Sequence, residues 1–197
     1  MKLNYSLDYR CKTRSTDVTE NEFTTITECI AENDFKNYLE VGVWHGATLY
    51  SIVNLFKLNG IELDAYGYDC FDEGVSSDVP NSHTSGWPSK QEVEAIFKDF
   101  PNVKLIAGDA SKIDTVLSDK KFDFVFHDAN HTREAIVSDL ITLKKILTPE
   151  AYVAVHNSSY DIPERNFFGA SAINHLVSEG LFKVISVADT LVLLKNI

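Results

Sequence analysis

Four short runs of strand-favouring residues in this chain each end in an acid: YLE at Glu40, LDAYGYD at Asp69, VKLIAGD at Asp109 and FDFVFHD at Asp128. Between them lie stretches with the apolar spacing of helices. One is ATLYSIVNLFKLNG, stopped by Gly60. Another is HTREAIVSDLITLKKIL, with Ile136, Leu140, Leu143 and Leu147 on one face and Pro149 just beyond. Strand alternating with helix predicts a mostly parallel sheet covered on both faces. Right-handed crossovers make such a sheet doubly wound, and its ligands bind beyond the carboxyl ends of the strands. The four acids fall there. One acid at a strand end is an ordinary turn residue; four in succession read as a site.

The rest of the chain extends the pattern. AYVAVHN is a fifth strand and ASAINHLVSEG a helix. Two closing β runs flank a turn at Ala188 and Asp189, which predicts an antiparallel hairpin. Residues 18–33 carry Val18, Phe23, Ile26 and Ile30 on one helical face, with Thr16 or Asp17 as the cap. Residues 1–34 therefore read as an arm and helix that cap the site or contact a second copy in a homodimer. Residues 35–197 form the main domain. The stretch 70–90 has the length of a lid, and Phe71, His83 and Trp87 are its candidate substrate contacts.

Charge and composition exclude some partners. The net charge of −11, with Lys120-Lys121 and Lys144-Lys145 as the only basic pairs, argues against a nucleic-acid backbone and for a small-molecule or protein substrate. No apolar run approaches the roughly 20 residues of a membrane helix, and the N-terminus has no apolar core of signal type, so a cytoplasmic location is expected. Cys11, Cys29 and Cys70 form no C-x-x-C pair and read as reduced packing residues.

The joint YLEVGVWHGATLY, between the first strand and the next helix, holds two glycines on a four-residue step. Trp44 stands where a dinucleotide turn needs its second glycine, which disfavours a pyrophosphate and an NAD-linked oxidoreductase. Gly42, Val43, Trp44 and Gly46 can still cradle a smaller ligand at a helix N-terminus. Asp69 can accept from both hydroxyls of a ribose. An adenosine-bearing ligand without phosphates, S-adenosyl-L-methionine, fits. Trp44 itself is expected to pack between helix and loop, with stacking on the ligand as the alternative.

The motif E-x-G-x-x-x-G at Glu40, Gly42 and Gly46 resembles the first motif of class I S-adenosylmethionine-dependent methyltransferases. EVGVWHGATL, YGYDCFDEG and FHDANHTREAIVSDL are most similar to the macrocin O-methyltransferase and cephalosporin-hydroxylase type. The resemblance implies a Rossmann-like sheet and a residue-by-residue set of roles. Gly42 and Gly46 would line the methionine part, supported by Glu40. Asp69, followed by Cys70, would hold the ribose. Asp109 and Ala110 would meet the adenine. Asp128 would lie beneath the sulfonium and the substrate. Relatives carry an acid pair at the end of the fifth strand that joins the equivalent of Asp128 in binding a divalent metal. Here that pair is His156-Asn157, which leaves Asp128 and Asn157 as a depleted set for Mg2+. The usual Gly-Gly turn before that strand is Glu150-Ala151.

Methyl transfer to a hydroxyl needs a general base. His127, His131 and His156 are expected together at the ends of the fourth and fifth strands, with His131 first and His156 second as the base. The reading is an O-methyltransferase acting on a small polar metabolite such as a sugar. No NPPY-like stretch supports N-methylation. A catalytically silent cofactor-binding or scaffold protein on the same fold is the alternative, kept open by His156-Asn157.

Overall fold

The structure is a computed structural model and describes residues 2–71 and 87–197. Helix α1 (Glu20–Glu32) precedes strand β1 (Asn37–Val41), helix α2 (Ala47–Leu58) and strand β2 (Asp64–Asp69). Beyond residue 86 come α3 (Lys90–Glu94), β3 (Val103–Ala107), α4 (Ile113–Val116), β4 (Phe122–His127), α5 (Arg133–Lys144) and β5 (Leu147–Val155). A small hairpin of β6 (Asp161–Ile162) and β7 (Phe167–Phe168) leads to α6 (Gly169–Ser178), β8 (Phe182–Ala188) and β9 (Leu191–Asn196).

The seven-stranded sheet has the order β3-β2-β1-β4-β5-β9-β8. The first five strands are parallel, and β9 runs antiparallel to both β5 and β8. This is the doubly wound, mostly parallel sheet with a C-terminal hairpin that the sequence predicts. The order reverses between β1 and β4, so a crevice opens at the carboxyl ends of these two strands.

Alternating strand residues feed two cores. Phe124 and Phe126 of β4 pack with Phe23, Ile26 and Ile30 of α1 and with Leu49, Ile52 and Phe56 of α2. Phe122 and Val125 face Ile136, Leu140 and Leu143 of α5 and Leu176 of α6. Burying such side chains on both faces is the main force holding the layers, at roughly 1.5–3 kcal/mol each.

Local details differ from the sequence expectations. Thr19, not Thr16 or Asp17, caps α1: its hydroxyl accepts from the Glu22 N–H while Glu22 accepts from the Thr19 N–H, a reciprocal box. Leu147 does not extend α5. The helix stops at Lys144, and Leu147 opens β5, pairing with Phe122 across a register shift. Pro149 explains the break, because its ring cannot continue a helix. Glu150-Ala151 is therefore not a turn but part of β5. Phe71 is fully buried in the core rather than presented to a substrate. His83 lies outside the described residues.

The N-terminal arm is docked on the domain. Tyr9 stacks on Phe23, and Arg10 lies over the same ring while pairing with Glu20. The Thr16 and Thr48 hydroxyls meet at 2.6 Å, which fixes the arm to the first turn of α2. Among the described residues, no helix is long and apolar enough to cross a membrane.

Candidate active site

The glycine turn is the first part of the site. Gly42 at φ 89°, Trp44 at φ 47° and Gly46 at φ 77° all take left-handed conformations, so the chain folds back sharply between β1 and α2. Gly42 is required for a second reason: a Cβ there would stand 2.2 Å from the Asp128 carbonyl oxygen. Asp69 locks the turn. One carboxylate oxygen accepts from the Val43 and Trp44 N–H groups at 2.6 and 2.7 Å, and the other from the Phe71 N–H at 2.9 Å. Asp69 is buried, and both of its oxygens accept from backbone N–H groups, a turn-holding role beside the ribose contact expected of it.

Behind the turn lies Glu40, which is 1% exposed. The Tyr38 hydroxyl donates to it at 2.8 Å. Burial drives its pKa well above the carboxylate range, and the neighbouring Asp128 adds to the rise, while Tyr38 and the Leu49 amide pull the other way. Its charged form lacks a cationic partner among the described residues.

A cavity of about 470 Å³ opens in front of these groups. Glu40, Gly42, Val43, Trp44, His45, Ala47, Thr48 and Asp128 line it, with Ser15, Thr16 and Asp17 of the arm and Trp87 closing the rim. The volume is in the range of small-molecule sites. Helix α2 begins there with Gly46 at its cap and no side-chain cap; the Leu49 N–H serves Glu40, which leaves the Ala47 and Thr48 N–H groups to meet an anionic group. Trp44 does not pack away as expected. It is 45% exposed and lies against His45 at the rim.

Asp109 and Ala110 follow β3, further along the same sheet edge, and do not line this cavity. The Asp109 carboxylate caps the turn by accepting from the Ser111 N–H, which lowers its pKa. Cys70 is half-buried; burial, with Asp69 beside it, pushes its thiol up to about 12.

The second part of the site lies past β4 and β5. His156 Nδ1 is 2.9 Å from Asp128 Oδ1, and His131 Nε2 is 3.6 Å from the same oxygen. On its far side, His156 Nε2 lies 3.5 Å from Oε2 of Glu22 in α1. Glu22 is fully buried; its other oxygen accepts from the N–H and hydroxyl of Thr190, between β8 and β9. Burial alone would lower the His156 pKa, but the two carboxylates override it and raise the value to about 10. His156 is thus an imidazolium at neutral pH, which removes it from the base role expected of it. Burial lowers the His131 pKa to about 4 despite the attraction of Asp128, so this ring is neutral and free to accept a proton. His127 does not join the pair. It points to the opposite face, with Nε2 2.9 Å from Asp139 of α5.

The residues proposed for Mg2+ do not fit it. Magnesium requires a shell of oxygens. Here Asp128 Oδ1 is covered by a cationic imidazole, and the Asn157 amide stands 3.2 Å from the same ring nitrogen. Among the described residues, no cluster of His, Cys, Asp and Glu is arranged to hold a metal. The protein carries its own positive charge at that position.

Sequence reasoning missed Glu22, Tyr38, Thr190 and the arm residues Ser15 to Asp17. Only Glu22 had a visible signal, the T-x-x-E box with Thr19, and that signal announces a helix start rather than a site.

Comparison with known proteins bears on the fold and the family. Among curated proteins, none matches the chain by sequence. Solved structures match the fold. A protein described as a caffeoyl-CoA O-methyltransferase from Staphylococcus aureus superposes with a TM-score of 0.67 at 17% identity, over 92% of this chain and 85% of that one. The O-methyltransferase NovP gives 0.66 at 15% identity, over 88% and 77%. An O-methyltransferase from Bacillus cereus in complex with SAH gives 0.65 at 12% identity, over 93% and 84%. The methyltransferase domain family matches residues 39–158. That stretch runs from within β1 to just past β5 and covers more than half of the 197 residues, so the chain belongs to the methyltransferase domain family.

Proposed function

We propose that this protein transfers a methyl group from S-adenosyl-L-methionine to a hydroxyl of a small polar metabolite. The observation that carries this reading is the buried Glu40 carboxyl, without a cationic partner among the described residues, facing a ligand-sized cavity beside the uncapped start of α2. A ligand with an ammonium, a sulfonium and a carboxylate answers all three features. Its cations relieve Glu40 and Asp128, and its carboxylate meets the α2 N–H groups and the Thr16 and Thr48 hydroxyls.

When bound, the cofactor supplies a methyl group on a sulfonium; the protein supplies alignment and a dry site. The glycine turn sets the position of the ligand, and Asp69 holds the turn. His131, neutral at physiological pH, accepts the hydroxyl proton of the acceptor. A weak base suffices, because that proton becomes strongly acidic as the new oxygen–carbon bond forms. The charge then on the ring is stabilised by Asp128, 3.6 Å from Nε2. At the rim, Trp87 offers a flat face to the acceptor and Trp44 one to the cofactor. The acidic chain favours a small molecule over a nucleic acid as acceptor.

Calorimetric titration with S-adenosylhomocysteine tests the reading. Micromolar binding that Gly42→Val abolishes supports it. An absence of binding to the folded wild-type protein overturns it.

A further inference from the structure

Glu22 lies outside residues 39–158, the stretch that matches the methyltransferase domain family. It is nonetheless the third member of a row that ends at the site: Glu22, His156, Asp128. We propose that Glu22 is a positioning residue, which acts through the His156 ring to hold the Asp128 carboxylate at the reacting centre. The proposal rests on the methyl-transfer reading for what the centre does, but not for how the row is built.

The geometry argues for more than a helix cap. A cap needs one oxygen of Glu22, and Oε2 serves the Thr19 N–H. The other oxygen takes two donors from Thr190, so both oxygens are fixed in direction. The side chain is fully buried, and a buried carboxylate costs several kcal/mol unless paired. Its cationic neighbour is His156, itself 4% exposed. The ring is held at both ends: Nε2 toward Glu22, Nδ1 on Asp128. An imidazole paired at one nitrogen can swing about its χ2 torsion; a hydrogen bond at Nδ1 and an ion pair at Nε2 together restrain it. The groups facing this ring are Asp128 after β4, Glu22 of α1, His131 in the loop before α5, the adjacent Asn157 amide and the Phe126 ring. Glu22 and Asp128 are the two anions among them. Asp128 in turn faces His131. Removing the charge at Glu22 frees the ring and loosens the carboxylate that the transferred proton relies on.

Glu22→Gln separates positioning from folding. The amide oxygen still accepts from Thr19 or from Thr190 but not from both, so one of these anchors goes with the charge that faces His156, and circular dichroism under the assay conditions is used to confirm that the variant is folded. Two readouts are used on the full chain. The first is independent of methyl transfer: 15N NMR of the His156 ring in wild type and Glu22→Gln, across pH. Wild type is expected to keep both ring nitrogens protonated well above neutrality, and Glu22→Gln to lose one proton at clearly lower pH. The second is turnover on an acceptor found by screening hydroxylated metabolites. Here kcat is expected to fall roughly 10- to 100-fold, with the S-adenosylhomocysteine Kd unchanged, and His156→Gln is expected to add no further loss when combined with it. An unchanged His156 ring in Glu22→Gln overturns the row itself. A changed ring with wild-type kcat and pH profile overturns the positioning role. Failure of the wild-type protein to bind S-adenosylhomocysteine would instead remove the methyl-transfer reading and leave the NMR result standing.

Discussion

The glycine turn and the imidazole row meet at Asp128 but are held by different parts of the chain. The turn is made of backbone. Its shape comes from three left-handed residues within five positions and from one carboxylate, Asp69, that grips two successive N–H groups. The row is made of side chains, drawn from α1, the ends of β4 and β5, and the residue that precedes β9. A backbone cradle suits a ligand that must be placed the same way each time. A row of titratable side chains suits proton handling. Binding and chemistry should therefore separate by region, and substitutions can be chosen to test that.

The largest effect is expected in the row. His131→Gln should lower kcat by about 10²- to 10⁴-fold while the S-adenosylhomocysteine Kd stays within about twofold. A matching loss of affinity would mean that the two regions are not separate. Asp69→Ala should do the reverse. It strips three backbone N–H groups of their acceptor, each worth on the order of 1–3 kcal/mol when buried. Calorimetry should show at least a 100-fold weaker cofactor complex, and a Kd close to wild type would unseat Asp69 as the lock of the turn.

A smaller effect is expected on stability against pH. The His156 pKa is raised to about 10, so its contribution is complete below the unfolded value near 6.5 and is lost as pH rises through 10. The Glu22 pKa is lowered to about 2 because its hydrogen bonds to His156 and Thr190 outweigh burial, so its contribution is present above about 4.5 and fades as pH falls toward 2. Thermal midpoints of wild type should decline between pH 6.5 and 10, and those of Glu22→Gln should be flatter there. Parallel curves for the two proteins would show that the row carries no linked charge. The smallest effect belongs to the rim. Trp44→Ala removes an exposed ring and should weaken cofactor binding by about 1 kcal/mol, with kcat little changed.

The same division explains what could be read in the sequence. The turn is local: Glu40, Gly42 and Gly46 fall within seven consecutive residues, and the acids at strand ends follow the strand pattern. The position of Asp69 is legible, but its hold on the turn is not, because nothing in a strand-end acid says which backbone N–H groups it will meet. His156 was found as a histidine near Asp128. Its charge could not be read, since that depends on Glu22, 134 positions earlier by 156 − 22. The fold shows the same limit. Leu147 has helical spacing, and only Pro149 and pairing with Phe122 place it in a strand. The two-residue strands β6 and β7 are too short for any periodicity to reveal.

The bond between Glu22 and Thr190 joins positions 168 apart in the chain. Thr19 and Asp189 tie the same two regions a second time. Contacts this distant close late and slowly, because the loop entropy must be overcome first. The cradle should therefore mature ahead of the proton-handling row, and during refolding of the full chain cofactor binding should return before turnover does.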